Sequence, residues 1–296
     1  MAENSAISWT RHTWNPWMGC TKVSPACDGC YAEALMDKRY GKVQWGPHGE
    51  RVRTGAHTWN DPIRWNRQAE KDGDRPFVFC ASLADIFDNQ VPPEWRAEAF
   101  DVMRRTPRLV YLLLTKRPQN IVKLAEAAGG LPSNAAIGTT VEDQPRFDIN
   151  VPALRKAKRL VDPLFAFLSC EPLLGPTIGS LHDIDWVITG GETDQGGHKA
   201  RPTHPDWFRS MRDQCAAAGI PFHHKQNGEW IAKGWEHAES KLHLTRSGKI
   251  VSKDECDDNR DFPGVGLIEI EKVGKKASGR FLDGIEHNAF PEVAAV

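Results

Sequence analysis

Short runs of β-branched, aromatic or small apolar residues recur along the chain, separated by stretches whose apolar positions repeat every three or four residues. The runs are Ala6 to Thr10, Phe77 to Ser82, Leu109 to Thr115, Ala135 to Thr140, Leu164 to Cys170, Ile184 to Gly190 and Ile220 to Lys225, and they predict buried strands. Between most of them, helices are predicted over Pro93 to Thr106, Gln119 to Ala128, Gln144 to Lys158 and Pro205 to Ala218, the last stopped by Gly219. Strands alternating with helices imply a parallel sheet with right-handed crossovers.

Polar residues collect where the runs end. Ser82 and Asp85 follow the second, Thr115, Lys116 and Arg117 the third, Thr139, Thr140 and Glu142 the fourth, Ser169, Cys170 and Glu171 the fifth, Gly190, Gly191 and Glu192 the sixth, and Lys225 and Gln226 the seventh. In a (β/α) barrel the carboxyl ends of the strands form the active face, so these groups converge on one mouth. A doubly wound sheet also places ligands at strand carboxyl ends. The pattern favours an α/β fold, a partial (β/α) TIM-like barrel of about six or seven parallel strands. It occupies residues 1–230, with the polar, glycine-rich segment 41–75 as a capping insertion. Beyond Trp230, a hairpin from Leu242 to Val251, a strand from Val265 to Val273 and the cations Lys275, Lys276 and Arg280 suggest a small α+β appendage over 231–296.

Composition narrows the function classes. The 296 residues, 40% of them hydrophobic, suffice for one barrel-sized domain with an appendage. A net charge of −1 and a pI of about 6.8 argue against wholesale attraction to nucleic acid or anionic membrane, so any such partner must be met locally. No run approaches the ~18 apolar residues that cross a bilayer, and Met1 to Ser5 show no basic and apolar leader. With seven cysteines, an odd number, four of them scattered singly (Cys80, Cys170, Cys215, Cys256), reduced thiols in a cytoplasm are expected.

The other three, Cys20, Cys27 and Cys30, share one loop with the spacing C-x6-C-x2-C, kinked by Pro16, Gly19, Pro25 and Gly29. Three thiolates are one ligand short of a closed zinc site, which would need His12 or Asp28 as well. A [4Fe-4S] cluster held by three cysteines instead keeps one iron open to a small molecule. Spacing alone leaves both metals open.

A three-cysteine loop after the first strand of a partial barrel resembles the radical S-adenosylmethionine (SAM) superfamily. More closely, Thr13-Trp14-Asn15-Pro16, Leu113 to Pro118, Leu168-Ser169-Cys170-Glu171-Pro172-Leu173-Leu174-Gly175-Pro176, Gly190-Gly191-Glu192, Lys225 to Trp230 and Gly279 to Gly284 resemble a phage-associated family of radical-SAM-like proteins with an unusual cysteine motif. The superfamily's common spacing is C-x3-C-x2-C with an aromatic residue before the last cysteine. Here the first spacer is longer, Gly29 stands at the aromatic position and Tyr31 follows.

The resemblance implies a [4Fe-4S] cluster on Cys20, Cys27 and Cys30 whose open iron chelates SAM. It also implies reductive cleavage of SAM to a deoxyadenosyl radical, hydrogen abstraction from a substrate, and an electron donor such as a flavodoxin or ferredoxin. Gly190, Gly191 and Glu192 resemble the turn and acid that hold the SAM amino group, a role that Ser82 and Asp85 occupy a more usual place to fill. Lys116 and Arg117 suit a carboxylate or phosphate, and Tyr31, Thr140 and Glu142 complete the expected cofactor contacts. Cys170 is a candidate hydrogen-atom donor, and Glu171 and Glu192 are candidates for proton transfer.

Of 11 tryptophans, Trp9, Trp14, Trp17, Trp45, Trp59 and Trp65 fall in the first 65 residues beside Lys38, Arg39, Arg51, Arg53, Arg64 and Arg67. They suit either a base-stacking platform over a positive groove or a plug for an incomplete barrel. With the phage association, they point to a nucleobase, nucleoside or hypermodified DNA thymidine as substrate, modified or rearranged, in the host cytoplasm if the chain is phage-encoded. Two rivals from other classes stand beside this reading: a zinc-stabilised nucleic-acid-binding module, and an interaction protein in which an iron-sulfur cluster only holds the fold.

Overall fold

A computed structural model describes residues 3–232, 240–251 and 266–294. Seven parallel strands hydrogen-bond in chain order: β1 (His12–Thr13), β2 (Phe77–Cys80), β3 (Val110–Thr115), β4 (Ala135–Thr140), β5 (Ala166–Cys170), β6 (Trp186–Gly190) and β7 (Phe222–Gln226). Helices α1 (Ala56–Asp72), α2 (Pro93–Arg104), α3 (Ile121–Ala127), α4 (Gln144–Val161) and α5 (Pro205–Ala218) lie between strands. The sheet curls into a half-barrel with helices outside it, the partial TIM-like α/β architecture that the alternating pattern predicts. A second, antiparallel sheet begins at Trp230 and orders its strands 230–232, 268–272, 240–244 and 250–251. Val265 and Cys256 lie outside the described residues. Among the described residues no helix is long and apolar enough to cross a membrane.

Two-residue alternation along each strand builds two separate cores. Val110, Leu112, Ala136, Phe167, Trp186 and Ile188 turn inward with Trp9 and Phe165. Tyr111, Leu113, Ile137, Leu168, Cys170 and Val187 turn outward onto the helices, meeting Phe100, Met103, Leu154, Met211 and Cys215. Packing inside the barrel is tight enough to dictate a glycine. A Cβ on Gly138 would stand 2.4 Å from Cζ of Phe167, so the ring takes the space that a side chain on β4 would fill.

The first strand is His12–Thr13, not Ala6 to Thr10. The earlier run is apolar because Ile7 and Trp9 pack into the barrel interior, while Thr10 Oγ1 accepts from Phe79 N at 3.0 Å and donates to Phe77 O at 3.0 Å. The segment expected as an excursion contains α1, the crossover from β1 to β2. Its apolar face is sparse but bulky, with Trp59, Pro62, Trp65 and Ala69 buried among polar neighbours, which masks the helical period. Ahead of α1, Trp17 and Met18 pair with Arg53 and Val52, so this short ribbon closes the base of a long loop carrying all three clustered cysteines.

Chain ends seal the gap between β7 and β1. His223 bridges to Asn288, His224 N donates to His287 O at 2.9 Å, and Ser8 Oγ hydrogen-bonds His223 Nε2 at 2.9 Å. Phe290 then reaches Trp186, with ring centroids 5.4 Å apart, and Phe77 at 5.8 Å.

Gly138→Ala is expected to destabilise the chain by about 1–3 kcal/mol through overpacking against Phe167, measured by urea unfolding; unchanged stability would contradict this packing.

Candidate active site

At the carboxyl end of the half-barrel lies a cavity of about 490 Å³, within the range of small-molecule and cofactor sites. Its floor is apolar, made by Ile7, Trp9, Phe79 and Leu114. Around this floor stand Cys20, Cys27, Cys30, Tyr31, Ser82, Asp85, Lys116, Arg117, Thr140, Glu171, Gly191 and Glu192, residues far apart in sequence that the topology gathers at one mouth. Lys225 and Gln226 from β7, and Lys275 from beyond the second sheet, complete the wall.

Sequence folds the cysteine loop locally. The buried Asn15 side chain accepts from Leu83 N at 2.6 Å and donates to Ser82 Oγ at 2.9 Å, while Gly19 N donates to Leu83 O at 3.1 Å. These bonds lay the chain before Cys20 alongside the loop after β2. Cys27 ends a 3-10 turn begun at Pro25, and Cys30 caps the helical segment that starts at Tyr31.

Asp85 ties the loops after β2 and β3 together. Its carboxylate accepts from Thr115 Oγ1 at 2.9 Å, Lys116 N at 3.2 Å, Phe87 N at 2.9 Å and Arg117 Nη1 at 2.8 Å. So bonded, Asp85 aims Arg117, whose Nη1 lies 3.5 Å from Cys20 Sγ. Burial, followed by the Asp85 charge, pushes the Cys20 thiol up to about 11 against the pull of Arg117. Burial also raises Cys30. At Lys116 burial lowers the ammonium pKa, but the charges of Cys27 and Cys30, then Glu142 and Asp85, outweigh it and hold the group above its ordinary value.

On the opposite wall, Glu192 is buried and receives Arg201 Nη2 at 2.5 Å, Arg201 Nε at 2.9 Å and Arg201 N at 2.8 Å, with His198 Nε2 in ion-pair contact 3.1 Å away. Burial raises its pKa, yet Arg201 and His198 prevail and keep it below the usual carboxylate value. Gly29 explains its own identity, since a Cβ there would lie 2.7 Å from the His198 ring and 3.0 Å from Glu192 Oε1. Gly191 likewise admits the loop after β7, because its Cβ would meet Asn227 O at 2.1 Å.

Glu171 pairs with Lys225 and receives Gln226 Nε2 at 3.3 Å. Within the cavity wall, Thr140 Oγ1 and Gln226 Oε1 are buried with no hydrogen-bond partner among the described residues. Such orphaned groups point to a polar ligand.

Some predicted residues lie off the cavity. Glu142 is fully buried behind the wall, accepting from Ala26 N at 3.3 Å through Oε1. Gly190 stands against Glu171, 3.0 Å from where its Cβ would be. Cys170 faces the helix layer: strand alternation turns Ser169 into the cavity and Cys170 outward into the core beside Cys215, where burial drives its thiol pKa far up. Of the six early tryptophans, Trp9, Trp14, Trp17, Trp59 and Trp65 are buried, and Trp45 lines the cavity. The five buried rings plug and brace the barrel.

His12 is turned away, its ring stacked 4.4 Å from Trp65 and its Nδ1 accepting from Asn4 N at 3.4 Å. Asp28 pairs with Arg201 at 3.2 Å. Both candidate fourth ligands for zinc are therefore engaged elsewhere. Among the described residues no three His, Cys, Asp or Glu side chains are gathered closely enough to hold one metal ion. Ser169, one of the polar groups at the end of the fifth run, lines the cavity as that pattern implies, and Lys275, expected only as part of a basic tail, reaches it too; Arg201 and His198 left no sequence signal.

Because Glu192 has a depressed pKa, its stabilising contribution is present above the ordinary carboxylate range and is lost as pH falls through and below it. Glu192→Gln is expected to cost less than the roughly 3–5 kcal/mol of a fully buried pair, since Arg201 is a third exposed. It should also lose less stability than wild type between pH 7 and pH 4 in thermal melts; equal losses would contradict the assignment.

No curated protein matches the chain. Similar solved structures include a cysteine-to-serine mutant of spore photoproduct lyase, 14% identical over 88% of this chain and 76% of that one, with a TM-score of 0.44. A double mutant of spore photoproduct lyase with bound AdoMet and dinucleoside spore photoproduct is 14% identical over the same shares, with a TM-score of 0.42. The match that spans residues 4–291 is to the family described as "Protein of unknown function (DUF5131)", and the chain belongs to that family.

Proposed function

We propose that the chain is a radical SAM enzyme whose [4Fe-4S] cluster is held by Cys20, Cys27 and Cys30. The observation that carries this reading is the convergence of those three thiols, with Lys116 and Arg117, on one cavity at the carboxyl end of a parallel half-barrel. Three thiols at one cavity, with His12 and Asp28 engaged elsewhere, suit a cluster with one open iron better than a four-ligand zinc site. When bound, the cluster and SAM supply one-electron cleavage of a sulfonium bond and hydrogen abstraction from substrate.

The chain's own residues do the rest. Lys116 places a cation beside Cys27 and Cys30, where it balances thiolate charge and can meet a carboxylate. Thr140 Oγ1 and Gln226 Oε1 offer unused hydrogen-bonding capacity to the cofactor's polar groups. Ser82, Tyr31 and Gly191 line its path. Ile7, Trp9, Phe79 and Leu114 make a dry floor, which excludes water from a reactive site. The Glu171–Lys225 pair reaches the cavity from β5 and β7 and is placed to hold or move a proton at substrate.

For substrate, the reading is a nucleobase within a nucleoside or nucleic acid. Trp45 and Tyr31 present rings at the cavity, and Lys22, Lys225 and Lys275 present cations, a combination suited to a base and its phosphate.

Anaerobic reconstitution with iron and sulfide, followed by electron paramagnetic resonance with and without SAM, tests the class. A signal that shifts on SAM addition, with 5'-deoxyadenosine formed, is expected; bound zinc without a cluster would overturn the reading and favour the binding module. Cys20→Ala is expected to abolish deoxyadenosine formation, whereas Cys170→Ala, in the outer core, should retain it. Loss of SAM cleavage in a folded Cys170→Ala variant would contradict the outward placement.

A further inference from the structure

The long spacer between Cys20 and Cys27 is gripped from outside at step after step. Thr21 O accepts from Arg117 Nη2 at 2.7 Å, and Thr21 Oγ1 from Arg51 Nη2 at 2.9 Å. Val23 O accepts from Arg146 Nη2 at 2.9 Å and Pro25 O from Arg201 Nη2 at 2.9 Å. Ala26 N completes the series by donating to Glu142 Oε1 at 3.3 Å.

The gripping side chains come from different parts of the barrel mouth. Arg51 lies on the returning arm of the cysteine loop, Arg117 after β3, Glu142 and Arg146 around the start of α4, and Arg201 after β6. Each guanidinium has its own carboxylate: Asp88 at 2.7 Å from Arg51, Asp85 at 2.8 Å from Arg117, Glu192 at 2.5 Å from Arg201, and Glu142 at 4.0 Å from Arg146. For Arg51, Arg117 and Arg201, a carboxylate within 2.8 Å fixes the planar fork on one side, so the spacer oxygen held on the other side is fixed too. Without such partners, a spacer with Gly19 before it and Pro25 within it would sample many conformations, few of which turn the thiols inward.

We propose that Arg51, Arg117, Arg146 and Arg201 form a cage that preorganises the cysteine spacer, and that Arg117 is a positioning residue that tunes the cluster by hydrogen bonding to Cys20 Sγ. The proposal rests on the reading of the three thiols as cluster ligands. A donor to a ligating sulfur favours the reduced, more electron-rich state and raises the reduction potential. Holding the loop from several elements also slows loss of the metal centre.

The test compares wild type with Arg117→Met, Arg117→Lys, Arg146→Met and Arg201→Met, all reconstituted anaerobically. Midpoint potentials are read by redox titration, iron loss by challenge with a ferrous chelator, and fold by thermal melting of the metal-free chains. Arg117→Met is expected to assemble a cluster with a lower potential than wild type, and Arg117→Lys to recover part of the difference. Arg146→Met and Arg201→Met should lose iron about tenfold faster with potentials near wild type. A wild-type potential in Arg117→Met, whatever its melting temperature, would overturn the tuning role, and wild-type iron retention in both other variants would overturn the cage.

Should wild type take up no cluster, the proposed function fails and the cage is judged by hydrogen exchange. Protected amides at Ala26 and Cys27, the spacer amides that donate to Glu142 and to Ser24 O, that become labile in Arg146→Met and Arg201→Met uphold it. Labile amides in wild type overturn it.

Discussion

Everything at the mouth depends on the filling of the barrel beneath it. Seven short parallel strands cannot enclose a stable interior by hydrogen bonding alone, and here Trp9, Phe165, Phe167 and Trp186 occupy that interior with Phe77 and Phe79. Each such ring, fully buried, contributes about 1.5–3 kcal/mol of hydrophobic stabilisation. The plug also sets the depth of the cavity. Because Trp9 and Phe79 form its floor, polar chemistry is confined to the carboxyl ends of the strands, where the cysteine loop crosses. Phe290 extends the same aromatic layer from the far end of the chain, so the residues that seal the barrel come from both ends of the sequence.

Above the plug, charge is arranged in pairs that join one loop to the next. Asp85 with Arg117 joins the loops after β2 and β3 to Cys20, and Glu192 with Arg201 joins the loop after β6 to Pro25 and Asp28. Such pairs gain little from attraction alone, because burying charge costs nearly as much as pairing returns. Their value lies in geometry. Asp85 and Glu192 line the cavity and also aim the arginines, while Lys116, Thr140 and Gln226 keep capacity directed into the cavity.

Much of this fold was legible because strand and helix periods are strong signals. The sequence pattern named six of the seven strands to within a few residues and α5 over the residues it occupies, Pro205–Ala218. The first strand was not legible, because Ile7 and Trp9 carry an apolar signal that belongs to barrel filling, and the pairing falls on His12 and Thr13. Helix α1 escaped because a few large rings do the burying that many small residues usually share. Parity decided the fate of Cys170: a reading that noted only its place at a strand end could not tell it from Ser169, although the two point to opposite faces. The three thiols were legible from spacing. Arg146 and Arg201 were not, since their partners are backbone carbonyls more than a hundred residues away, and a contact of that kind leaves no local pattern.

The central claim is that three thiols hold a four-iron cluster and leave one iron for a small ligand. Mössbauer spectroscopy of the protein reconstituted with iron-57 reads this directly, because each iron reports its own coordination. The account predicts the spectrum of a [4Fe-4S] cluster in which one of the four irons changes on addition of SAM while the other three stay as they were. A spectrum without a four-iron cluster, or one in which no iron responds to SAM, would contradict it.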